Sequence, residues 1–270
     1  DTDGPITIIG ESINPTRRKK LTEAFSERQY DFVLELAQSQ IAAGADVLDI
    51  NVGVPDIDDP AVMGKVVTAV SEAFDVPLCL DSPNPETLAS GLTAAPGRPL
   101  VNSVNGEEKS LAANLPVVKE FGVPVNGLVI DDDGISMEPH KRLAIAAKII
   151  DRAAQLGIPI EDIVIDPLAM AVSADHNAGQ ITLRTMALIR DEFGVNMTLG
   201  ASNVSFGLPE RQIINQAFMA LVVLNGASCA ITNPAKLTST IRAIDLLLGR
   251  DDYSMRYIKH YRSMQKAKPA

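Results

Sequence analysis

Ala43-Gly44-Ala45, followed by Val47-Leu48-Asp49-Ile50-Asn51-Val52, is the stretch whose reading decides the architecture. A glycine after an amphipathic run is the left-handed stop of a helix, where the chain turns back. The short Val/Leu/Ile run that follows has the make-up of a buried strand; it carries polar residues toward its end, and a helical pattern resumes over residues 61–74. The same phrase returns at Phe121-Gly122-Val123, Leu156-Gly157-Ile158, Phe193-Gly194-Val195 and Asn225-Gly226-Ala227. Near-copies of one stop signal argue for one repeated strand–helix unit.

Working outward, eight strand-like runs are found at residues 6–11, 47–52, 77–82, 100–105, 126–131, 163–168, 197–202 and 229–233. Helical patterns lie between them at 30–43, 61–74, 111–121, 142–156, 181–193, 211–224 and 238–248, with a brief one at 85–91. Strict alternation leaves a doubly wound sheet or a closed barrel, and a count of eight selects the barrel. The expected fold class is therefore α/β, a (β/α)₈ TIM barrel. No linker or low-complexity tract divides the chain, so residues 1–270 are expected to form a single domain.

The 270 residues are 46% hydrophobic but only 4% aromatic, without Trp, so the core is built from Val, Ile, Leu, Ala and Met. A formal charge of −10 repels nucleic acid and anionic lipid. The one basic run, Arg17-Arg18-Lys19-Lys20, reads as a solvated loop, since Glu23 and Glu27 follow it and no aromatic residues interleave. Cys79 and Cys229 form no CxxC pair, which points away from a disulfide framework or zinc knuckle and toward a reducing cytoplasm. No apolar stretch is long enough to span a bilayer, and Asp1-Thr2-Asp3 lacks a signal pattern, so a cytoplasmic protein is expected.

In a barrel of this kind the site lies at the C-terminal ends of the strands. Here those ends carry Glu11 and Asn14, Asp49 and Asn51, Asp81 and Ser82, Asn102, Ser103 and Asn105, Asp131, Asp166, Ser202 and Asn203, and Thr232 and Asn233. A ring of carboxylates and amides suits a flat ligand with several N–H donors and ring acceptors, and a pterin is such a ligand. Asp49, Asp131 and Ser82 can equally be strand-end or helix caps. Asp81, Asn102, Asp166 and Asn203 converge on one volume. Asp131-Asp132-Asp133-Gly134 could imitate a Mg²⁺ site, but it reads better as a turn, and no bound metal is expected. His140 and His176 are placed in solvent-facing loops and His260 in the tail.

Taken in order, these motifs resemble the pterin-binding methyltransferases that act between methyltetrahydrofolate and corrinoid proteins. The resemblance starts at Ile9-Gly10-Glu11-Ser12-Ile13-Asn14 and continues through Leu48-Asp49-Ile50-Asn51-Val52-Gly53, Leu80-Asp81-Ser82 and Val101-Asn102-Ser103. It extends to Ile165-Asp166-Pro167-Leu168 and Gly200-Ala201-Ser202-Asn203-Val204-Ser205. The chain is also similar to the folate module of cobalamin-dependent methionine synthase. The resemblance implies that Asp81, Asn102 and Asp166 hold the pterin, that Arg211 lies near the substrate and that Asn203 approaches the methyl-bearing N5 as the catalytic residue, while Glu11 and Asn14 are further candidate substrate contacts as strand-end residues. It implies tetrahydrofolate or 5-methyltetrahydrofolate as substrate, a corrinoid carried by a partner protein, and a homodimer. Phe206 departs from the corrinoid iron–sulfur protein branch, which carries an amide there, and that leaves the partner's identity open.

Two alternatives accompany this reading. Dihydropteroate synthase shares the barrel and acidic pocket but ends its last strand in Arg-x-His, whereas this chain reads Ile231-Thr232-Asn233-Pro234 with no basic residue there. A non-catalytic folate-binding protein would keep the pocket without turnover. The expected reaction moves a methyl group between N5 and cobalt, with an Asn203 donor stabilising the electron pair that N5 recovers.

Overall fold

The computed structural model describes residues 3–266; Asp1-Thr2 of the opening segment and residues 267–270 lie outside it. The strands are β1 (Thr7–Ile13), β2 (Val47–Asn51), β3 (Leu78–Asp81), β4 (Leu100–Asn105), β5 (Val125–Leu128), β6 (Ile163–Asp166), β7 (Asn196–Met197) and β8 (Cys229–Thr232). The helices are α1 (Lys19–Glu27), α2 (Asp31–Ala42), α3 (Asp59–Ala73), α4 (Pro85–Ala94), α5 (Glu108–Phe121), α6 (Pro139–Gln155), α7 (Ala178–Phe193), α8 (Arg211–Leu224), α9 (Pro234–Leu247) and α10 (Met255–Lys266). Pairing is parallel between neighbours from β1 through β7, and β1 also pairs β8. Closure comes from the Ser228 N–H donating to the Met197 carbonyl at 3.0 Å and the Ile231 N–H to the Leu199 carbonyl at 3.1 Å, next to a Gly200–Ile231 bridge. The result is a (β/α)₈ barrel.

The repeated stop signal works as read: Gly44, Gly122, Gly157, Gly194 and Gly226 all take positive φ, between 61° and 105°. A Cβ there would be strained, which is why glycine recurs.

Side chains alternate between the two faces along most of the strands, with register irregularities in β1 and β4. Leu48, Ile50, Leu78, Leu80, Val101, Val125, Ile163 and Ile165 belong to one buried cluster with helix residues such as Val62, Val66, Leu88, Ile149 and Ile189. The residues between them point into the barrel, and the register sets Asn51, Asp81, Asn102 and Asn126 side by side on β2 to β5. At the opposite end, Arg242 donates to both oxygens of Asp46 at 3.1 Å, and Asp245 accepts from the Ile6 N–H at 3.0 Å, which pins β1.

Three expectations are corrected. The Arg17–Lys20 run is solvated at Arg17, Lys19 and Lys20 as read but is not all loop: Lys19 begins α1, and Arg18 is anchored by donating to the Ser12 carbonyl at 2.6 Å. Strand β7 spans only Asn196–Met197, and residues 201–205 wind into a 3₁₀ turn. His140 lies in the first turn of α6 instead of a loop, and His260 lies on α10, with Nε2 3.0 Å from the Ser239 hydroxyl.

Candidate active site at the barrel mouth

Parity brings β2 to β6 polar side chains together inside the barrel. Asn126 Nδ2 donates to Asn102 Oδ1 at 3.1 Å, and Asn102 Nδ2 donates to Asp49 Oδ1 at 3.2 Å. Beside this chain, Asn51 Nδ2 donates to Asp81 Oδ2 at 2.9 Å. Asn102 is thus held at both ends of its amide. The carbonyl of Asn126 is buried with no donor, an unmet acceptor within the network.

Asp166 ends β6 and is 6% exposed. Its Oδ1 accepts the Leu168 N–H at 2.8 Å, and Leu168 takes a strained φ of 64°. The guanidinium of the fully buried Arg142 donates to the carbonyls of Pro167, Leu168 and Ser136 and so fixes the strand-end loop. Burial pushes the Asp166 carboxyl up to about 7, against the opposing pull of the Leu168 N–H and of Arg142. Asp49 is also raised, by burial first and by facing Asp81 second, while Asp81 is raised by burial against the pull of Asn51. The mouth therefore presents carboxyl groups short of hydrogen-bond donors, which a ligand rich in N–H groups would supply.

Past β7, Asn203 is exposed in the 3₁₀ turn. Its amide folds over Gly200, with Nδ2 only 3.0 Å from where a Cβ on Gly200 would stand. It does not cap the next helix, since Glu210 holds that position. Arg211 donates to the Ser205 hydroxyl at 3.0 Å and the Ser202 carbonyl at 2.7 Å, tying this turn to α8. Phe206, 51% exposed, lies between Arg17 and Arg211, whose guanidinium carbons stand 5.7 and 5.9 Å from the ring centre.

Of the remaining strand-end residues, Asn14 closes its own turn by accepting the Thr16 N–H, and Ser82 accepts the Asn84 N–H. Asp131 accepts the Asp133 N–H, so the acidic run is a turn as read. Asp49 is not a cap, being 3% exposed and bonded inside the barrel. Glu11 stands with Arg18, Arg211 and Lys236 on the wall of a cavity of about 240 Å³ that Asp81, Asn102 and Asp166 do not line. Burial raises the Glu11 carboxyl, opposed by those three cations. Sequence reading missed Asn126, whose inward parity depends on register, and Arg18 and Lys236. It found no basic residue at the end of the last strand; the first turn of α9 brings Lys236 there.

A parallel barrel with a polar, carboxylate-lined mouth defines the class, and the chain belongs to the pterin binding enzyme family, whose pattern it matches over residues 10–233. It is 31% identical over 263 residues to the methylcorrinoid:tetrahydrofolate methyltransferase of Eubacterium limosum, covering 94% of this chain and 96% of that protein. It is 30% identical over 274 residues to methionine synthase of Mycobacterium tuberculosis, covering 93% of this chain and 23% of that longer protein. Among solved structures, dihydropteroate synthase of Yersinia pestis with a pterine-sulfa conjugate superposes with a TM-score of 0.71 at 18% identity, over 92% of this chain and 95% of that one. At that identity the likeness shows the fold alone. Among the described residues no helix is long and apolar enough to cross a membrane.

Proposed function

We propose that this protein is a methyltransferase that moves a methyl group between N5 of tetrahydrofolate and the cobalt of a corrinoid held by a separate protein. The observation that carries the reading is the placement of Asp81, Asn102 and Asp166 on β3, β4 and β6 of one barrel, in a chain 31% identical to a methylcorrinoid:tetrahydrofolate methyltransferase along 94% of its length. Asp81 and Asp166 accept pterin N–H groups, and Asn102, held by Asp49 and Asn126, reads the ring edge with an amide of fixed orientation. Arg211 positions the turn that bears Asn203. Asn14, closing its own turn, serves the mouth as backbone support. Residues 1–270 act as one pterin-binding domain.

In the folate-to-corrinoid direction the C–N bond breaks with its pair going to N5, N5 takes up a proton to become the N–H of tetrahydrofolate, and the partner's reduced corrinoid would supply the pair that bonds the methyl; the reverse direction returns the methyl to the N5 pair with loss of that proton. A donor aimed at N5 lowers either barrier, and removing one such donor commonly costs on the order of 3 kcal/mol. The exposed, uncommitted amide of Asn203 fills this role. Asn203→Ala is expected to slow single-turnover methyl transfer roughly a hundredfold, followed by cobalt absorbance, with folate affinity little changed. Equal losses in rate and affinity would instead mean uniform binding, and unaltered kinetics would remove Asn203 from the chemistry. Turnover with a methylated corrinoid protein also separates this reading from a folate carrier and from a dihydropteroate synthase.

The corrinoid partner covers the open mouth, with Phe206 on its rim. A homodimer is supported by the outer face of α8, where Ile213, Ala217, Ala220, Leu221 and Leu224 form an exposed apolar stripe. Two free cysteines fit a reducing cytoplasm, and the net charge of −10 fits a protein without nucleic-acid or membrane partners.

A further inference from the structure

We infer that the cavity lined by Arg18, Arg211 and Lys236 is a carboxylate subsite that takes the glutamyl tail of the folate. This rests on the folate reading above and extends it beyond the pterin ring. The cavity, of about 240 Å³, lies between the ends of β8 and β1 and the first turns of α8 and α9. Ligand pockets for whole molecules begin near roughly 300 Å³, so this one suits a branch of a ligand whose ring sits elsewhere. Ser202, the neighbour of Asn203, lines it, so it borders the place assigned to N5.

Its walls favour an anion. Three cations face the single carboxylate of Glu11. Arg18 and Arg211 are held in place by the Ser12 and Ser202 carbonyls and the Ser205 hydroxyl, while Lys236 makes no salt bridge among the described residues. Helices α8 and α9 both begin here with the positive ends of their dipoles, and α8 has no side-chain cap to occupy its free N–H groups. Independently, the Thr232 hydroxyl, on a residue with no exposed surface, lines the cavity with no hydrogen-bond partner. A tail carboxylate meets that donor and the excess positive charge together, whereas a neutral acceptor would answer the hydroxyl alone.

The test compares 5-methyltetrahydrofolate, its triglutamate and a tailless 5-methyl-tetrahydropterin by calorimetry at low and high salt. The wild type should bind the tailed compound at least roughly tenfold more tightly than the tailless one, an advantage that shrinks with salt. Lys236→Gln and Arg18→Gln should each cut that ratio about fivefold and leave tailless binding within about twofold. Millimolar inorganic phosphate should compete with the tailed compound only. Equal affinity for both compounds, a ratio unmoved by both variants, or phosphate displacing both alike would overturn the tail assignment while the pterin reading stands. Failure of every compound to bind would sink the pterin reading and this inference with it.

Discussion

Asp166 shows how one residue's environment becomes a binding signal. Its carboxyl is held near 7 because burial outweighs the Leu168 N–H and Arg142. A pterin that donates N–H groups stabilises the ionised form, so the complex holds fewer protons than the free protein. Folate affinity is therefore expected to rise with pH up to about 7, level off above it, and release a proton below it, as measured by calorimetry in buffers of different ionisation enthalpy. Asp166→Asn should flatten that profile. The same shift acts on folding with the opposite consequence. Between the ordinary carboxylate value and about 7 the folded state binds the extra proton, so this group's contribution to stability is full at low pH and is lost as pH rises through 7. Ligand-free Asp166→Asn is expected to gain about 2 kcal/mol at pH 8 and nothing at pH 4, read from denaturant titrations; equal effects at both would remove burial as the cause.

At the scale of elements, the ends of β6 and β7 do different work. After β6 the backbone is clamped: the strained Leu168 is held by its own N–H on Asp166, by Arg142 and by the Thr182 hydroxyl on its carbonyl. Arg142→Met would strand the buried Pro167 carbonyl and remove the guanidinium from those of Ser136 and Leu168, with an expected loss of about 3 kcal/mol of stability and a raised pH midpoint for folate binding, since a cation near Asp166 is gone. A variant with intact stability would show that α6 packing, not the guanidinium, sets the loop. After β7 the chain winds into the 3₁₀ turn, and the part its glycine plays there is steric. Gly200→Ala puts a methyl 3.0 Å from the Asn203 amide and should displace it, slowing methyl transfer with melting temperature little changed. A wild-type rate in that variant would mean the amide already moves freely.

For the whole molecule, the barrel directs one end to chemistry and the other to stability, with Arg242, Asp46 and Asp245 fastening β1 far from the mouth. The outer surface carries the remaining instruction. An apolar stripe along α8 buries itself when a second copy presents the same stripe about a two-fold axis. On the proposed homodimer, sedimentation velocity is expected to find the wild type as a dimer and Leu221→Lys with Leu224→Lys as a monomer; a wild-type monomer would end the proposal.

The sequence by itself determined the repeated unit and the polar make-up of the strand ends, because both are local. Each helix stop needs a glycine able to take positive φ, and each strand announces itself by its aliphatic run. Asp81, Asn102, Asp166 and Asn203 were legible for the same reason, as polar residues closing such runs. Capping and buried roles look alike in one dimension, so Ser82 and Asp131 proved to serve turns while Asp49 lies inside the barrel. Only the tertiary structure decided that Asn126 stands beside Asn102, since inward parity and register belong to strand pairs. It alone brought Arg18, Arg211 and Lys236, more than two hundred positions apart from first to last, around one cavity. Closing β1 onto β8 makes the first and last strands neighbours, and no local pattern encodes that proximity.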